Sequence, residues 1–153
     1  MALDEGNVAC PPSAQEQVDP VPLPYLQDPT YATSSYNVHL TVALQSEAAA
    51  SEGQSPATTT IISHSNFQHL YWNAAQQLVH HSVTGCVMNP GDLLGSGTIS
   101  GTTPNSFGSM LELSWNGTQE ISLNAKGNKK ETRTFLQDGD TVIFQGWCET
   151  NDG

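Results

Sequence analysis

The chain has 153 residues, a length typical of one domain. Fifteen acidic residues against four basic ones give a formal net charge of −11, which argues against the basic surface that nucleic acids and anionic membranes require. Ser, Thr, Asn and Gln make up 51 of the residues, a composition that favours a β-rich protein over a helical bundle. No apolar run approaches the ~20 residues that would predict a membrane span.

Residues 1–35 are rich in proline and show no periodicity, which predicts an extended strap or linker. The apolar segment 21–26 is expected to hold this strap against a core. The acidic N-terminus does not resemble a signal peptide, and the three cysteines, Cys10, Cys86 and Cys148, are widely spaced. These features favour reduced thiols and a cytoplasmic location.

From residue 36 the sequence shows strand patterning. Alternating apolar residues from Val38 to Leu44 predict a first strand, and the β-branched segment 57–63 is expected to pair back with it as a hairpin. The intervening residues, 46–56, are of low complexity and predict a mobile loop.

One amphipathic helix follows. Apolar side chains recur at three- and four-residue spacing from Phe67 to Val79, which predicts a helix capped by Ser65 or Asn66 and ended by Gly85. We expect its apolar face to pack against a sheet, because an isolated helix of this length is marginally stable in water.

The remaining sequence predicts short strands at 93–100, 107–115, 121–123, 132–136 and 142–148, with turns at 89–92, 116–117 and 138–140. This order predicts a mainly β fold with one packed helix, arranged as a β-sandwich or roll.

Glu112 lies in the predicted strand 107–115 among large apolar side chains. A carboxylate in such a place needs a hydrogen bond or a charged partner. Because the chain has no lysine or arginine before Lys126, the expected partner is a histidine, a hydroxyl or a group outside this chain. The carboxylate either orients a catalytic histidine or satisfies buried donors.

The other candidate residues give weaker signals. The five histidines lack metal-ligand spacing, since the adjacent His80 and His81 would point ~100° apart on a helix, and hydrogen-bonding or capping roles are favoured. The glycine-rich run 95–101 suits a carboxylate or oxyanion but lacks a phosphate-binding motif. The basic cluster from Lys126 to Arg133 predicts a solvated hairpin tip, or alternatively a contact with an anion or a partner.

Five long motifs resemble one enzyme family in the same order along the chain. They are DPVPLPYL (19–26), SNFQHLYW (65–72), QQLVHHSVTGCVMNPGDLLGSGTISG (76–101), FGSMLELSWNG (107–117) and FLQDGDTVIFQGWC (135–148). Together they resemble the C-terminal part of the fumarylacetoacetase (fumarylacetoacetate hydrolase) family. The resemblance implies that residues 36–153 are part of its C-terminal catalytic domain, an incomplete β-sandwich roll.

The resemblance also implies a chemistry. Members hydrolyse a carbon–carbon bond of 4-fumarylacetoacetate to fumarate and acetoacetate, the last step of tyrosine and phenylalanine degradation. A divalent cation, Ca²⁺ or Mg²⁺, binds the substrate's dicarbonyl oxygens, and a histidine oriented by a glutamate activates water. Glu112 in SMLELSW matches the orienting glutamate, and Thr98 in SGTISG matches a threonine that contacts the substrate. A homodimer is implied for complete members.

Other parts of the family's site match no residue here. The catalytic histidine, the metal-binding carboxylates and the substrate-binding arginine and tyrosines lie upstream in the family, and no arginine precedes Arg133 here. We therefore expect no metal ligand in this chain and no activity from it alone. Two hypotheses follow: a fragment of the enzyme, from a partial gene model or clone, or a truncated, non-catalytic paralogue that binds or pairs with a complete subunit.

Overall fold

The computed structural model describes residues 17–51, 53, 55–125 and 131–148. The described residues form two compact units, one comprising 17–38, 67–97 and Cys148 and the other drawn from 39–66 and 98–147. The helices and strands are, in order, β1 (Val38–Gln45), α1 (Glu47–Ala50), β2 (Thr60–Asn66), α2 (Ala74–Val83), α3 (Met110–Leu113), β3 (Ile121–Leu123), β4 (Glu131–Arg133) and β5 (Thr141–Cys148). No helix in these ranges is long and apolar enough to cross a membrane.

The strands form two small sheets. One has the order β2-β1-β5, and the other pairs β3 with β4. β1 and β2 are antiparallel, with His39 opposite Asn66 and Leu44 opposite Thr60. The predicted pairing of the first two strands is confirmed, although β2 begins and ends about three residues later than the sequence pattern indicated. The described residues are mixed α/β, with small sheets and few helices, which is compatible with the predicted mainly β fold, although only one of the three α-helices, α2, was predicted.

The predicted alternation of β1 is interrupted at its end, where Ala43, Leu44 and Gln45 are buried one after another. The register with β2 shifts between Val42 and Ala43. The extra residue of this bulge is Ile62 of β2, because Val42 faces Ser63 and Ala43 faces Ile61. β1 keeps its own two-residue period, so the consecutive burial of Ala43, Leu44 and Gln45 means that both faces of its end are covered.

The loop after β1 is more structured than expected. Ser46 caps the short helix α1, because its hydroxyl accepts the amide hydrogen of Ala49 at 3.3 Å. The buried Gln45 amide donates to the carbonyl oxygen of Gly53 at 3.1 Å and to the Thr58 hydroxyl at 3.2 Å. The described residues of 46–56 therefore contain a short helix and a buried polar network where the sequence indicated a loop without regular structure.

The long helix begins later than predicted. Asn66 ends β2, and Asn73 caps α2 instead, with a reciprocal capping box between Asn73 and Gln76. Gly85 follows the helix with φ of +83°, as the sequence predicted. The helix was expected to bury an apolar face against a sheet, but the side chain that it buries is Gln76. The Gln76 amide donates to the carbonyl oxygen of Leu26 in the proline strap at 2.8 Å.

Within its unit, the proline strap is held to α2 by polar contacts. Asp28 accepts the side-chain amide of Asn73 at 2.7 Å and the hydroxyl of Thr30 at 2.7 Å. Hydrogen bonds from Thr30 and Asn73 hold the pKa of Asp28 below its ordinary value. Of the apolar segment 21–26, Leu26 is buried, whereas Val21, Leu23 and Tyr25 are exposed, so only the end of the segment packs as expected.

A further strand prediction is wrong. Residues 93–100 form no strand and are largely exposed, with Leu93 98% exposed. The turn at 138–140 is present, but it links the two sheets, since β4 pairs with β3 and β5 pairs with β1. Of the basic cluster, residues 126–130 lie outside the described ranges, so the predicted hairpin tip there stays a prediction.

Arg133 and Asp140 close this turn with a two-pronged ion pair. Nε of Arg133 donates to Oδ2 of Asp140 and Nη2 donates to Oδ1, each at 2.9 Å. The two side chains are 12% and 2% exposed. The hydrogen bonds from Arg133 lower the pKa of Asp140, and those to Asp140 raise the pKa of Arg133.

We expect Asp140→Asn to lower the free energy of unfolding at pH 7 by about 3 kcal/mol, because it leaves the guanidinium without its partner. In the wild type the pair's contribution is complete above the ordinary aspartate pKa of about 3.9, and it is lost as the pH falls through the lowered pKa of the folded state. Denaturation at several pH values should show this acid loss in the wild type and a smaller one in the variant. Asp138→Asn, at an exposed position of the same turn, is the control. It should change neither the free energy of unfolding at pH 7 nor its loss in acid. Equal effects of the two variants would contradict a stabilising ion pair between Arg133 and Asp140.

Candidate functional site

Glu112 lies on a helix, so the predicted strand at 107–115 is wrong. The hydroxyl of Ser109 accepts the amide hydrogen of Glu112 at 3.3 Å and thereby caps α3. After the helix, Trp115 and Asn116 have φ of 47° and 55°, values that no strand adopts. Ser109 and Glu112 match the S-x-x-E signature of a helix start, which is the signal that could have located α3 from the sequence.

The Glu112 carboxylate is held by hydroxyl groups. The Ser100 hydroxyl lies 2.9 Å from both Oε1 and Oε2, and the Ser109 hydroxyl donates to Oε2 at 2.7 Å. The side chain is half-buried. Of the partners that the sequence left open, the structure therefore supplies hydroxyls.

The segment containing Thr98 and Ser100 lies directly against the segment leading to α3. The Gly108 amide donates to Oγ of Ser100 at 3.0 Å, and the Gly101 amide donates to the carbonyl oxygen of Ser106 at 2.9 Å. A Cβ atom at Gly108 would lie 2.6 Å from the carbonyl oxygen of Ile99 and 2.9 Å from Cγ2 of Thr98. Two backbones can approach this closely only because residue 108 is glycine.

Strand β2 anchors both segments. Ser63 donates to the carbonyl oxygen of Phe107 at 2.7 Å, and Ser65 donates to that of Ile99 at 2.8 Å. Because side chains two residues apart point to the same face of a strand, one face of β2 holds both segments. The sequence analysis did not identify these serines, since a serine in a strand carries no signal of a distant partner.

The site combines a fixed carboxylate with a nearby exposed hydroxyl. Thr98 is exposed, and the Glu112 carboxylate has more lone pairs than its two hydroxyl donors occupy. Such a carboxylate can accept a further N–H group, including that of an imidazole. The arrangement can therefore position a base supplied from elsewhere, while the Thr98 hydroxyl offers both a donor and an acceptor to a ligand.

The histidines take other roles. Nδ1 of His80 lies 3.1 Å from the Tyr25 hydroxyl, and the His39 ring stacks on Trp147 with centroids 5.3 Å apart. Among the described residues no three His, Cys, Asp or Glu side chains come close enough to hold a metal ion. These residues do not fit the Ca²⁺ or Mg²⁺ centre that the resemblance implies, and we assign no step through a metal to them.

We expect Gly108→Ala to lower the free energy of unfolding by about 2–3 kcal/mol, because the added methyl would collide with the Ile99 carbonyl. Gly95→Ala, in the glycine-rich run 95–101, is the matched control: its Cβ would meet no atom within 4 Å, so its effect should stay within about 0.5 kcal/mol. Chemical denaturation of both variants measures the difference. Equal stabilities would mean that the two segments do not cross at Gly108.

The chain is similar in sequence to known proteins over most of its length. Residues 19–148 match the family model described as fumarylacetoacetate (FAA) hydrolase C-terminal. Fumarylacetoacetase from Rattus norvegicus is 53% identical over 131 residues, that from Homo sapiens 53% over 132, and that from Arabidopsis thaliana 47% over 131. Each match covers 86% of this chain and 28% of the relative, so the chain spans little more than a quarter of these relatives. The chain belongs to the fumarylacetoacetate hydrolase family and corresponds to part of its C-terminal region.

Proposed function

We propose that residues 36–153 contribute part of an active site that hydrolyses 4-fumarylacetoacetate to fumarate and acetoacetate. Glu112 positions a histidine base, and Thr98 contacts the substrate. The observation that supports this proposal most directly is the carboxylate of Glu112, held by Ser100 and Ser109 within 2.9 Å in a segment that also lies against Thr98. The family resemblance implies the same two residues.

The proposed chemistry begins with attack of water on a substrate carbonyl. The histidine base accepts a proton from the water while the oxygen bonds to the carbonyl carbon, and Glu112 stabilises the imidazolium that forms. Breaking the carbon–carbon bond then leaves fumarate and releases acetoacetate as an enolate, which takes up the proton that the histidine accepted and so regenerates the base. No histidine of this chain matches the family's base, so in this proposal the base comes from a part of the protein outside these 153 residues.

The remaining family properties are proposals of the same kind. We propose that the complete enzyme uses Ca²⁺ or Mg²⁺, that its ligands lie outside the described residues, and that it acts as a homodimer. A cytoplasmic location is supported by Cys86 and Cys148, which are both exposed free thiols in the structure.

The purified 153-residue chain should not hydrolyse 4-fumarylacetoacetate, with or without added Ca²⁺ or Mg²⁺. A positioned general base typically contributes ~10²–10⁴-fold to the rate, and no residue of the chain matches the family's base. Chromatographic measurement of fumarate release checks this outcome. Turnover comparable to that of the rat relative would show that the chain contains a base of its own.

The proposed role of Glu112 can be tested in a graft, in which residues 19–148 replace the matching segment of the rat relative. The wild-type graft should hydrolyse the substrate. Glu112→Gln should lower kcat by about 100-fold or more with little change in KM, because the lost interaction is strongest when the histidine becomes an imidazolium. Glu120→Gln, at an exposed glutamate of the same unit, is the matched control and should have no effect.

Two other results would contradict the assignment of Glu112. A lower melting temperature with unchanged kcat would show that Glu112 only satisfies hydrogen-bond donors. A well-folded wild-type graft without turnover would instead favour the non-catalytic pairing module.

Thr98→Val in the same graft should act mainly on substrate binding. Removing the hydroxyl takes away a proposed substrate contact, so we expect KM to rise and kcat/KM to fall, by roughly 10-fold, with a smaller change in kcat. Steady-state kinetics over a range of substrate concentrations separate the two effects. Unchanged kinetics would exclude a substrate contact at Thr98.

A further inference from the structure

We propose that Ser100 is a positioning residue whose hydroxyl fixes the Glu112 carboxylate and holds it in register with Thr98. The inference deepens the proposed function and rests on it, since it assigns a role to Ser100 in the same reaction. Neither the family resemblance nor the sequence pattern singled out this serine.

The hydrogen bonds of Ser100 set the direction of its hydroxyl. A serine hydroxyl has one hydrogen to donate and two lone pairs that accept. The Gly108 amide donates to Oγ of Ser100 at 3.0 Å, so one lone pair is occupied by a backbone group. The hydroxyl hydrogen is thereby directed to the Glu112 carboxylate, whose two oxygens both lie 2.9 Å away. The backbone of one segment thus orients the donor that holds the carboxylate of the next.

The two carboxylate oxygens of Glu112 are not equivalent. Oε2 accepts from Ser109 at 2.7 Å as well as sharing the Ser100 hydrogen, whereas Oε1 accepts from Ser100 alone among the residues that the structure describes. Oε1 is therefore the oxygen with more capacity to accept the N–H group of a histidine. Because Ser100 contacts both oxygens, its loss would let the carboxylate rotate away from this orientation.

Ser100 also relates Glu112 to Thr98. Ser100 and Thr98 are separated along the chain by Ile99 alone, and the carbonyl oxygen of Ile99 accepts the hydroxyl hydrogen of Ser65 at 2.8 Å. A Cβ atom added at Gly108, the residue whose amide donates to Ser100, would lie 2.9 Å from Cγ2 of Thr98. One short segment therefore carries the proposed substrate contact and the group that fixes the carboxylate, so a shift of either would move both.

A merely structural serine would give a different pattern of effects. Ser65 anchors the segment to β2 by donating to the carbonyl oxygen of Ile99, so its loss should weaken folding. The Ser100 hydroxyl instead donates to the carboxylate of Glu112, which is proposed to act in the reaction. If it acts through Glu112, its effect on kcat must disappear once Glu112 has been replaced.

The test uses the graft of residues 19–148 described above and compares four variants: Ser100→Ala, Ser100→Thr, Glu112→Gln, and the double variant Ser100→Ala/Glu112→Gln. We expect Ser100→Ala to lower kcat by about 10-fold or more with KM within about twofold, because a hydrogen bond to a charged group is lost. Ser100→Thr, which keeps the hydroxyl, should restore most of the activity. The double variant should be no slower than Glu112→Gln alone. Ser122→Ala, at an exposed serine of β3, is the control.

Three results would overturn the proposal. The first is a lower melting temperature of Ser100→Ala without a change in kcat. The second is a double variant whose losses multiply, which would mean that Ser100 acts independently of Glu112. The third is failure of Ser100→Thr to restore activity while its melting temperature equals that of the wild-type graft.

If the wild-type graft has no turnover, the proposed function fails, and the positioning of Glu112 is then decided on the 153-residue chain by nuclear magnetic resonance. Ser100→Ala should speed hydrogen exchange of the Gly108 amide by about 10-fold and average the Glu112 side-chain rotamers, while Ser122→Ala should do neither. Unchanged exchange and rotamers would refute the positioning role.

Discussion

Hydroxyl and amide groups, rather than lysine or arginine side chains, are the hydrogen-bond donors to the packed carboxylates Asp28 and Glu112. The first 125 residues contain ten carboxylates and no lysine or arginine, so an acid that packs against other groups must accept hydrogen bonds from neutral donors. Asp28 accepts from Thr30 and Asn73, and Glu112 accepts from Ser100 and Ser109. A hydrogen bond requires a defined distance and angle between donor and acceptor, whereas the attraction between two charges does not. Asp28 and Glu112 therefore fix the positions of the segments that donate to them.

The same dependence on directed bonds appears in the interior. Five apolar side chains are buried among the described residues, compared with eleven polar ones. Buried polar groups are costly unless each finds a partner, and Gln45 and Gln76 find theirs in backbone carbonyls of the adjoining loop and of the proline strap. Such an interior specifies one arrangement of the chain, because alternative packings would leave donors and acceptors unpaired.

The sequence predicted those features that depend on local pattern. The β1–β2 pairing followed from alternation and β-branched residues, and the end of α2 followed from Gly85. The start of α2 was misplaced because Phe67 continued the apolar spacing across a 3₁₀ turn, Phe67–His69, that precedes the true cap at Asn73. For Glu112 the sequence indicated a need for partners but not which ones, since Ser100 meets it only through the crossing of two segments at Gly108.

The anchoring of these segments by β2 has a consequence for the order of folding. The bonds from Ser63 to Phe107 and from Ser65 to Ile99 join residues 44 and 34 positions apart, whereas β1 and β2 are neighbours along the chain. Contacts that close long loops form late, because they lose more chain entropy before any interaction compensates. The contacts of the Glu112 carboxylate are more local, since Ser109 and Ser100 lie only 3 and 12 positions from it. We therefore expect the carboxylate and its hydroxyl partners to come together before the segments are anchored to β2. A chain stalled at that stage would contain the carboxylate with its hydrogen bonds, but without the strand face that fixes its place in the unit.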